Sequence, residues 1–386
     1  MTVIYFVDNK MGGVSSLNFN LTANPPDGSS EQWVIHIDVE DPQWTKADLN
    51  YPVDKQLYFK YSADENTYSV LKRLKKLLPE NEGALVLNYE IEMAMLDHYK
   101  VSQTVYQLIH DDYNVNLAKK YGHLVDIFIC HNSTIYKKLL DIFPQRENNI
   151  FYLPHGVKIP ETFRTPRKEK DPIRLLFLGR MAVSKGVFDL PEINDILRAK
   201  GISFDWTCIG GGPELDKLKL AWNPLDKVRF VTASSNEEVL SISANHDIFV
   251  LPTKFEGSPV SLLETMSTGL VPVITDLEGG IRDIVNDDIG FRIPMNDNMG
   301  FAEAIKKLYD DRQLLNRLSK NCQSRIVASF DVRKTASTYH DLFQRYKEFY
   351  KEKKIRRIKV GARLDHPLIA ASLTKFVRRV HKKLRS

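Results

Sequence analysis

Short, uninterrupted apolar runs separated by helical patterns constrain this chain more than any other feature. They occur at Val3 to Val7, Trp33 to Ile37, Ala84 to Leu87, Val105 to Ile109 and Val125 to Cys130. A second series follows at Ile173 to Leu178, Phe204 to Ile209, Lys227 to Val231, Asp247 to Leu251 and Val271 to Thr275. Between them lie amphipathic stretches. In 68–78, Val70, Leu71, Leu74, Leu77 and Leu78 share one helical face while Lys72, Arg73, Lys75 and Lys76 take the other. Strands that are apolar throughout are buried on both faces, which requires parallel sheets covered by helices. Two such series imply an α/β chain of two doubly wound, Rossmann-like domains. The polar, proline-bounded stretch 160–172 reads as the linker between a domain at 1–160 and another at 173–330.

Ligands of such sheets collect beyond the carboxyl ends of the strands, and two domains facing one another would enclose a cleft there. The most informative strand end is Leu251-Pro-Thr-Lys-Phe-Glu-Gly-Ser-Pro-Val-Ser-Leu-Leu-Glu-Thr-Met266. Gly257 gives backbone freedom, Ser258 reads as a helix cap and Pro259 as a first helical residue, predicting a helix from Pro259 to Ser267. Its free amides and its positive dipole end face the loop carrying Glu256 and suit a phosphate. Glu256 and Glu264 flank that end. Carboxylates beside a diphosphate would repel it, so each suits the hydroxyl groups of a sugar or ribose. The plainer account makes them a first-turn carboxylate and an exposed helix residue.

Other strand ends carry weaker signals. Arg180 and Lys185, after the first strand of the second series, could neutralise a diphosphate, or could be ordinary solvated charges. Gly210 to Gly212 could bring a ligand to the backbone or simply turn a strand into a helix. Gly12 and Gly13 follow the opening strand with the same two readings. His110 sits at a strand end where a reacting hydroxyl could lie, or acts as a structural hydrogen-bond partner. Segments 12–20 and 88–100 are placed to influence acceptor choice.

Composition sets the outer limits. With 386 residues and 43% hydrophobic content the chain can build real cores. There is no run of 18 apolar residues, and the N-terminus reads as a strand and not as a signal peptide. Cys130, Cys208 and Cys322 lack metal-ligand spacing and suit a reducing compartment, so the cytosol is expected. No D-x-D or H-E-x-x-H motif calls for a metal. Residues 351–386 hold 13 Lys and Arg against two acidic residues, whereas the rest of the chain is net acidic. No basic groove or nucleic-acid motif accompanies that tail, so nucleic acid is not an expected partner.

Together these residues resemble the retaining glycosyltransferases of family 4, which have the GT-B architecture of two facing Rossmann-like domains. The resemblance covers about residues 1 to 350 and is most specific at Glu256-Gly-Ser-Pro-Val-Ser-Leu-Leu-Glu264, supported by Gly179-Arg180, Lys185-Gly186, Gly210 to Pro213 and Leu153-Pro-His-Gly-Val157. It implies that Arg180 and Lys185 hold a donor diphosphate, Glu256 the donor sugar and Glu264 the ribose. Residues 257–262 would offer amides to phosphate, Gly13 would complete the donor site and His110 would approach the transferred sugar. It also implies a helix, here at 331–351, that returns to the first domain.

The expected activity is retaining, hexosyl-type transfer from a nucleoside-diphosphate sugar to a hydroxyl of a glycan or lipid-linked acceptor, in surface polysaccharide or glycolipid synthesis, with no cofactor required. A nucleotide-sugar epimerase and a non-catalytic nucleotide-sugar-binding protein are the alternatives. Within the basic tail, 352–386, the residues Leu373, Phe376, Val377, Val380 and Leu384 form an apolar stripe beside Lys375, Arg378, Arg379, Lys382 and Lys383. Residues 368–384 would therefore suit an anionic bilayer and place the enzyme peripherally at the inner face of the cell membrane. The other reading is a helix packed on the protein with solvated lysines.

Overall fold

The computed structural model describes every residue except 9–11, 29, 41–49, 167, 170, 223–225, 363, 370 and 384–386, and no side chain from 381 onward. Its contacts divide the chain into two units. The first comprises Met1–His131, Ile135–Leu153 and Ala336–Ser386, the second Asn132–Thr134 and Pro154–Thr335.

The first unit is built on strands β1 (Thr2–Asp8), β2 (Glu31–Val39), β3 (Lys55–Tyr61), β4 (Gly83–Leu87), β5 (Thr104–Ile109), β6 (Ile127–Cys130) and β7 (Ile150–Tyr152). They form one parallel sheet in the order β3-β2-β1-β4-β5-β6-β7. The pleat explains why β1 is apolar throughout. Ile4 and Phe6 enter one core with Val70, Leu71 and Leu74 of the helix Thr67–Lys75, while Val3, Tyr5 and Val7 enter another with Leu17, Tyr339 and Phe343.

The second unit contains β8 (Ile173–Leu178), β9 (Phe204–Ile209), β10 (Val228–Val231), β11 (Ile248–Leu251), β12 (Val271–Thr275) and β13 (Phe291–Ile293), in the order β10-β9-β8-β11-β12-β13. In both sheets the strand order reverses beside the first strand, at β1/β4 and at β8/β11. Those reversals are where doubly wound sheets open toward ligands.

The stretch read as a linker is strapped to the second unit. Arg164 lies buried, donating from Nε to Asp247 Oδ1 at 2.9 Å and from its backbone amide to Thr268 O at 2.7 Å. Arg312 donates to the carbonyl of Asp171. The boundary falls at Leu153/Pro154 rather than near residue 160, and 160–172 is held to the second unit because a buried guanidinium needs a fixed carboxylate. The helix Val332–Gln344 starts in the second unit and continues in the first, the division falling after Thr335.

The three cysteines are free thiols with no exposed surface, and burial raises Cys130 and Cys208 to about 12 and Cys322 further. Among the described residues, no helix is long and apolar enough to cross a membrane.

Candidate functional site

In the second unit, three loops at strand ends gather most of the residues singled out by sequence. β8 ends at Leu178, and Gly179 and exposed Arg180 follow. The single turn Val183–Lys185 then closes on Gly186, whose φ of +66° is left-handed. A Cβ at Gly186 would collide with the carbonyl of Pro252, so glycine is what lets this turn press against the loop after β11. Two hydrogen bonds tie the loops together, from Lys254 N and Thr253 Oγ1 to Ser184 O at 2.9 and 3.1 Å. The result is a fixed Lys185, whose Nζ donates to Glu256 Oε1 at 2.6 Å. Only 7% of the Glu256 side chain and 27% of Lys185 remain exposed.

The Gly-rich segment serves this geometry from below. Gly210 and Gly212 have φ of +133° and +155°, and a Cβ on either would strike the backbone of Gly179 or Met181. Met181 N donates to Gly211 O at 2.9 Å. Close packing under the Arg180 loop is therefore the role these glycines play.

The helix beyond Glu256 is Val260–Ser267, one residue shorter at its start than the sequence suggested. Pro259, not Ser258, is its cap, with ψ of 94°, and no side chain caps it. Proline biases its predecessor toward extended backbone, so Ser258 stays outside the helix. Pro259 also has no amide to offer, and Leu262 N already donates to Pro259 O at 3.1 Å. The first-turn amides of Val260 and Ser261 have no carbonyl within the helix, and they carry the anion-binding potential. Deeper on this helix, Glu264 accepts from Asn236 Nδ2 at 2.6 Å. Burial pushes its pKa up to about 7, against the opposing hydrogen bond from Asn236.

The first unit has its own cluster at its strand reversal. The helix Gly13–Ala23 opens at Gly12 and Gly13, while 9–11 lie outside the described residues. After β4, Asn88 donates to Phe6 O at 2.8 Å, which turns its Oδ1 toward His110 Nε2 at 2.9 Å. His110 therefore carries its proton on Nε2. Burial, helped by neighbouring His131, holds its pKa well below the ordinary histidine value. Asn114 completes the frame, accepting from His110 N at 3.2 Å and donating to Asn88 O at 2.8 Å.

Glu92 anchors the base of this frame. Its Oε2 accepts from Asn88 N at 2.7 Å and Tyr89 N at 3.1 Å, closing the start of the helix Glu90–Leu96. Burial nevertheless raises its pKa to about 8, the two amide bonds opposing and Asp8 adding to the rise. The folded chain thus keeps a proton that the unfolded chain loses above about 4.5. Stability falls as pH climbs from about 4.5 toward 8, by roughly 5 kcal/mol for this group taken alone. The histidines act oppositely, since His110 and His131, the latter lowered to about 4 by burial, lose stability as pH drops below 6.5. We expect Glu92→Gln to flatten the alkaline limb of melting temperature against pH and leave the acid limb. Parallel wild-type and variant profiles between pH 5 and about 9 would contradict a neutral Glu92.

The sequence singles out Arg180, Lys185, Glu256 and Glu264, and the structure brings Lys185 and Glu256 into contact. Sequence reasoning passes over Asn88, Glu92, Asn114 and Asn236, short-range polar partners with no motif of their own. An Asn at the end of an apolar strand, followed by Tyr-Glu-x-Glu, was the available signal.

Residues 158–325 match the family model described as glycosyl transferases group 1. The chain is similar to a UDP-Gal:alpha-D-GlcNAc-diphosphoundecaprenol alpha-1,3-galactosyltransferase of Escherichia coli, 34% identical over 117 residues, 30% of each chain. It is also similar to an N,N'-diacetylbacillosaminyl-diphospho-undecaprenol alpha-1,3-N-acetylgalactosaminyltransferase of Campylobacter jejuni, 30% identical over 178 residues, 46% of each chain. These matches span less than half the length of either relative. In fold it resembles a sucrose-phosphate synthase from Thermosynechococcus elongatus, with TM-score 0.70 at 16% identity over 90% of this chain and 99% of that one. Its two parallel Rossmann-like sheets give the chain the GT-B fold, and within it residues 158–325 resemble the group 1 glycosyl transferases.

Proposed function

We propose that the chain moves a hexosyl-type sugar, with retention, from a nucleoside-diphosphate sugar to a hydroxyl of a glycan or lipid-linked acceptor in surface polysaccharide or glycolipid synthesis. The observation that carries this is the Lys185–Glu256 pair beside the free amide end of Val260–Ser267, with Glu264 on the same helix. Phosphate, sugar and ribose would each meet the group that suits it.

In this reading Arg180, Lys185 and the Val260 and Ser261 amides take up the charge that develops as the bond from the sugar's anomeric carbon to diphosphate breaks. The acceptor oxygen bonds to that carbon on the same face, and its proton passes to the departing phosphate oxygen. No protein base is assigned. Glu256 accepts from donor sugar hydroxyls, and Glu264 from the ribose, whose hydroxyl donors favour its ionised form. His110, neutral with its proton on Nε2, would hydrogen-bond the transferred sugar and not serve as a cation, and Gly13 would add an amide. Side chains and amides supply all the counter-charge, so no metal is invoked. Both relatives are named for alpha-1,3 linkages, which retention yields from an alpha-configured donor. Their undecaprenol-linked names support a lipid-linked acceptor.

The test begins with melting temperatures across a panel of sugar nucleotides, UDP-sugars first. A donor at about 100 times its Kd should stabilise the protein by roughly 2.7 kcal/mol. The anomeric configuration of the product with that donor, read by NMR, should match the donor's. An inverted product would end the retention claim, and a new sugar nucleotide formed from donor alone would point to epimerisation.

A further inference from the structure

The helix Ala371–Lys383 is mounted on the first unit by its polar side, with its apolar side turned outward. Arg378 donates from Nη1 to the carbonyls of Ala63 and Glu65, at 3.2 and 2.7 Å, and from Nη2 to Asp365 at 2.6 Å. Asp365 also accepts from Thr67 N at 2.7 Å. Thr374, one turn before Arg378 and 1% exposed, takes a hydrogen bond from Asn66 Nδ2 at 3.3 Å. Residues four apart lie on one helical side, so Thr374 and Arg378 define the docked face.

Leu373, Phe376, Val377 and Val380 fall at the i, i+3, i+4 and i+7 positions of a different side. All four are exposed, Phe376 at 66%, and Leu368 just before the helix is exposed at 88%. A helix held only by hydrophobic burial would have turned this stripe inward, so the polar mount fixes the opposite orientation. Lys375 and Arg379 occupy the third side, and Arg379 is exposed. Leu384, the far end of the stripe, lies outside the described residues.

The chain leading to the helix is fixed too. Lys353 pairs with Asp126 at 2.5 Å, both side chains buried, and Asp97 accepts from the amides of Arg356 and Ile358. Lys351, Lys354, Arg356, Arg357 and Lys359 are left exposed around these anchors.

We propose that Ala371–Lys383 is a preformed contact helix for an anionic lipid surface, set by Thr374, Arg378 and Asp365 so that Leu373, Phe376, Val377 and Val380 enter the bilayer interface. Apolar side chains flanked by lysine and arginine match an acyl boundary beneath negative headgroups. A second copy would set one strongly basic tail against another, and a nucleic acid has no apolar surface to offer the stripe. The proposal stands apart from the donor chemistry.

The experiment is sedimentation of the full chain with phosphatidylcholine vesicles, with and without about one-third phosphatidylglycerol, at low and raised salt. Partition should require the anionic lipid and weaken with salt. Phe376→Ser combined with Val380→Ser should reduce it about tenfold or more, with unchanged melting temperature and donor-induced stabilisation. Amides of 371–380 should resist hydrogen exchange in the lipid-free protein. Equal partition of wild type and variant, equal partition onto neutral vesicles, or unprotected amides would overturn the proposal. So would a dimer in light scattering that the double variant abolishes, since a second copy would then cover the stripe. Retained donor stabilisation in the variant separates failure here from failure of the glycosyl-transfer reading.

Discussion

Lys185→Ala should lower kcat/KM for glycosyl transfer by about 10²–10³-fold, the scale on which a single charge-stabilising donor acts at a developing anion. Two losses add in this variant. In the proposed reaction the departing diphosphate loses a positioned cation, and Glu256, nearly buried, loses the partner 2.6 Å away. Lys185→Arg should restore only part of the rate, because a planar guanidinium cannot fill the ammonium's place between the Val183–Lys185 turn and Glu256. Initial rates at saturating acceptor and varied donor provide the measurement. A melting temperature close to wild type identifies the change as catalytic, whereas a variant turning over at the wild-type rate would remove Lys185 from the mechanism.

The largest stability effect is expected at Asp247 and Arg164. Asp247 has no exposed surface, accepts from Arg164 Nε at 2.9 Å and from Arg174 N at 3.0 Å, and sits at the entrance to β11. Replacing either partner alone takes the nearest counter-charge from a buried group, with Arg174 Nε more distant at 3.7 Å from Asp247 Oδ2, and should cost about 3–5 kcal/mol. The urea midpoint of the second unit, followed through Trp206 and Trp222, should fall in both Arg164→Met and Asp247→Leu. Combining the two changes should recover much of the loss, since a buried ion pair replaced by apolar groups is often close to neutral. Single variants that cost less than about 1 kcal/mol would show the strap to be dispensable.

Much of this architecture was legible because buried parallel strands write themselves as unbroken apolar runs. All ten runs read as strands overlap one of β1, β2, β4, β5, β6, β8, β9, β10, β11 and β12. The unread strands have physical reasons. β3, Lys-Gln-Leu-Tyr-Phe-Lys-Tyr, is an edge strand with charged and half-exposed positions, and β7 and β13 are three residues each. The 160–172 stretch was misread as linker because a buried Arg164 looks in sequence like any surface arginine. Glu256 and Glu264 could be singled out because glycine, proline and glutamate at fixed spacing report a strand, turn and helix start together. The Asn236–Glu264 and Asn88–His110 contacts could not, since they join residues 28 and 22 positions apart, whereas Glu92 caps the start of its own helix and left a local signal.

The sealed thiols give the protein an experimental advantage. With Cys130, Cys208 and Cys322 wholly enclosed and their pKa values raised by burial, none presents a reactive thiolate at neutral pH. A single cysteine introduced at an exposed position such as Val183 or Val377 should take up a maleimide dye selectively in the otherwise native chain. Paired dyes, one in each unit, would then report their separation by energy transfer with and without a sugar nucleotide, without first deleting any natural sulfur.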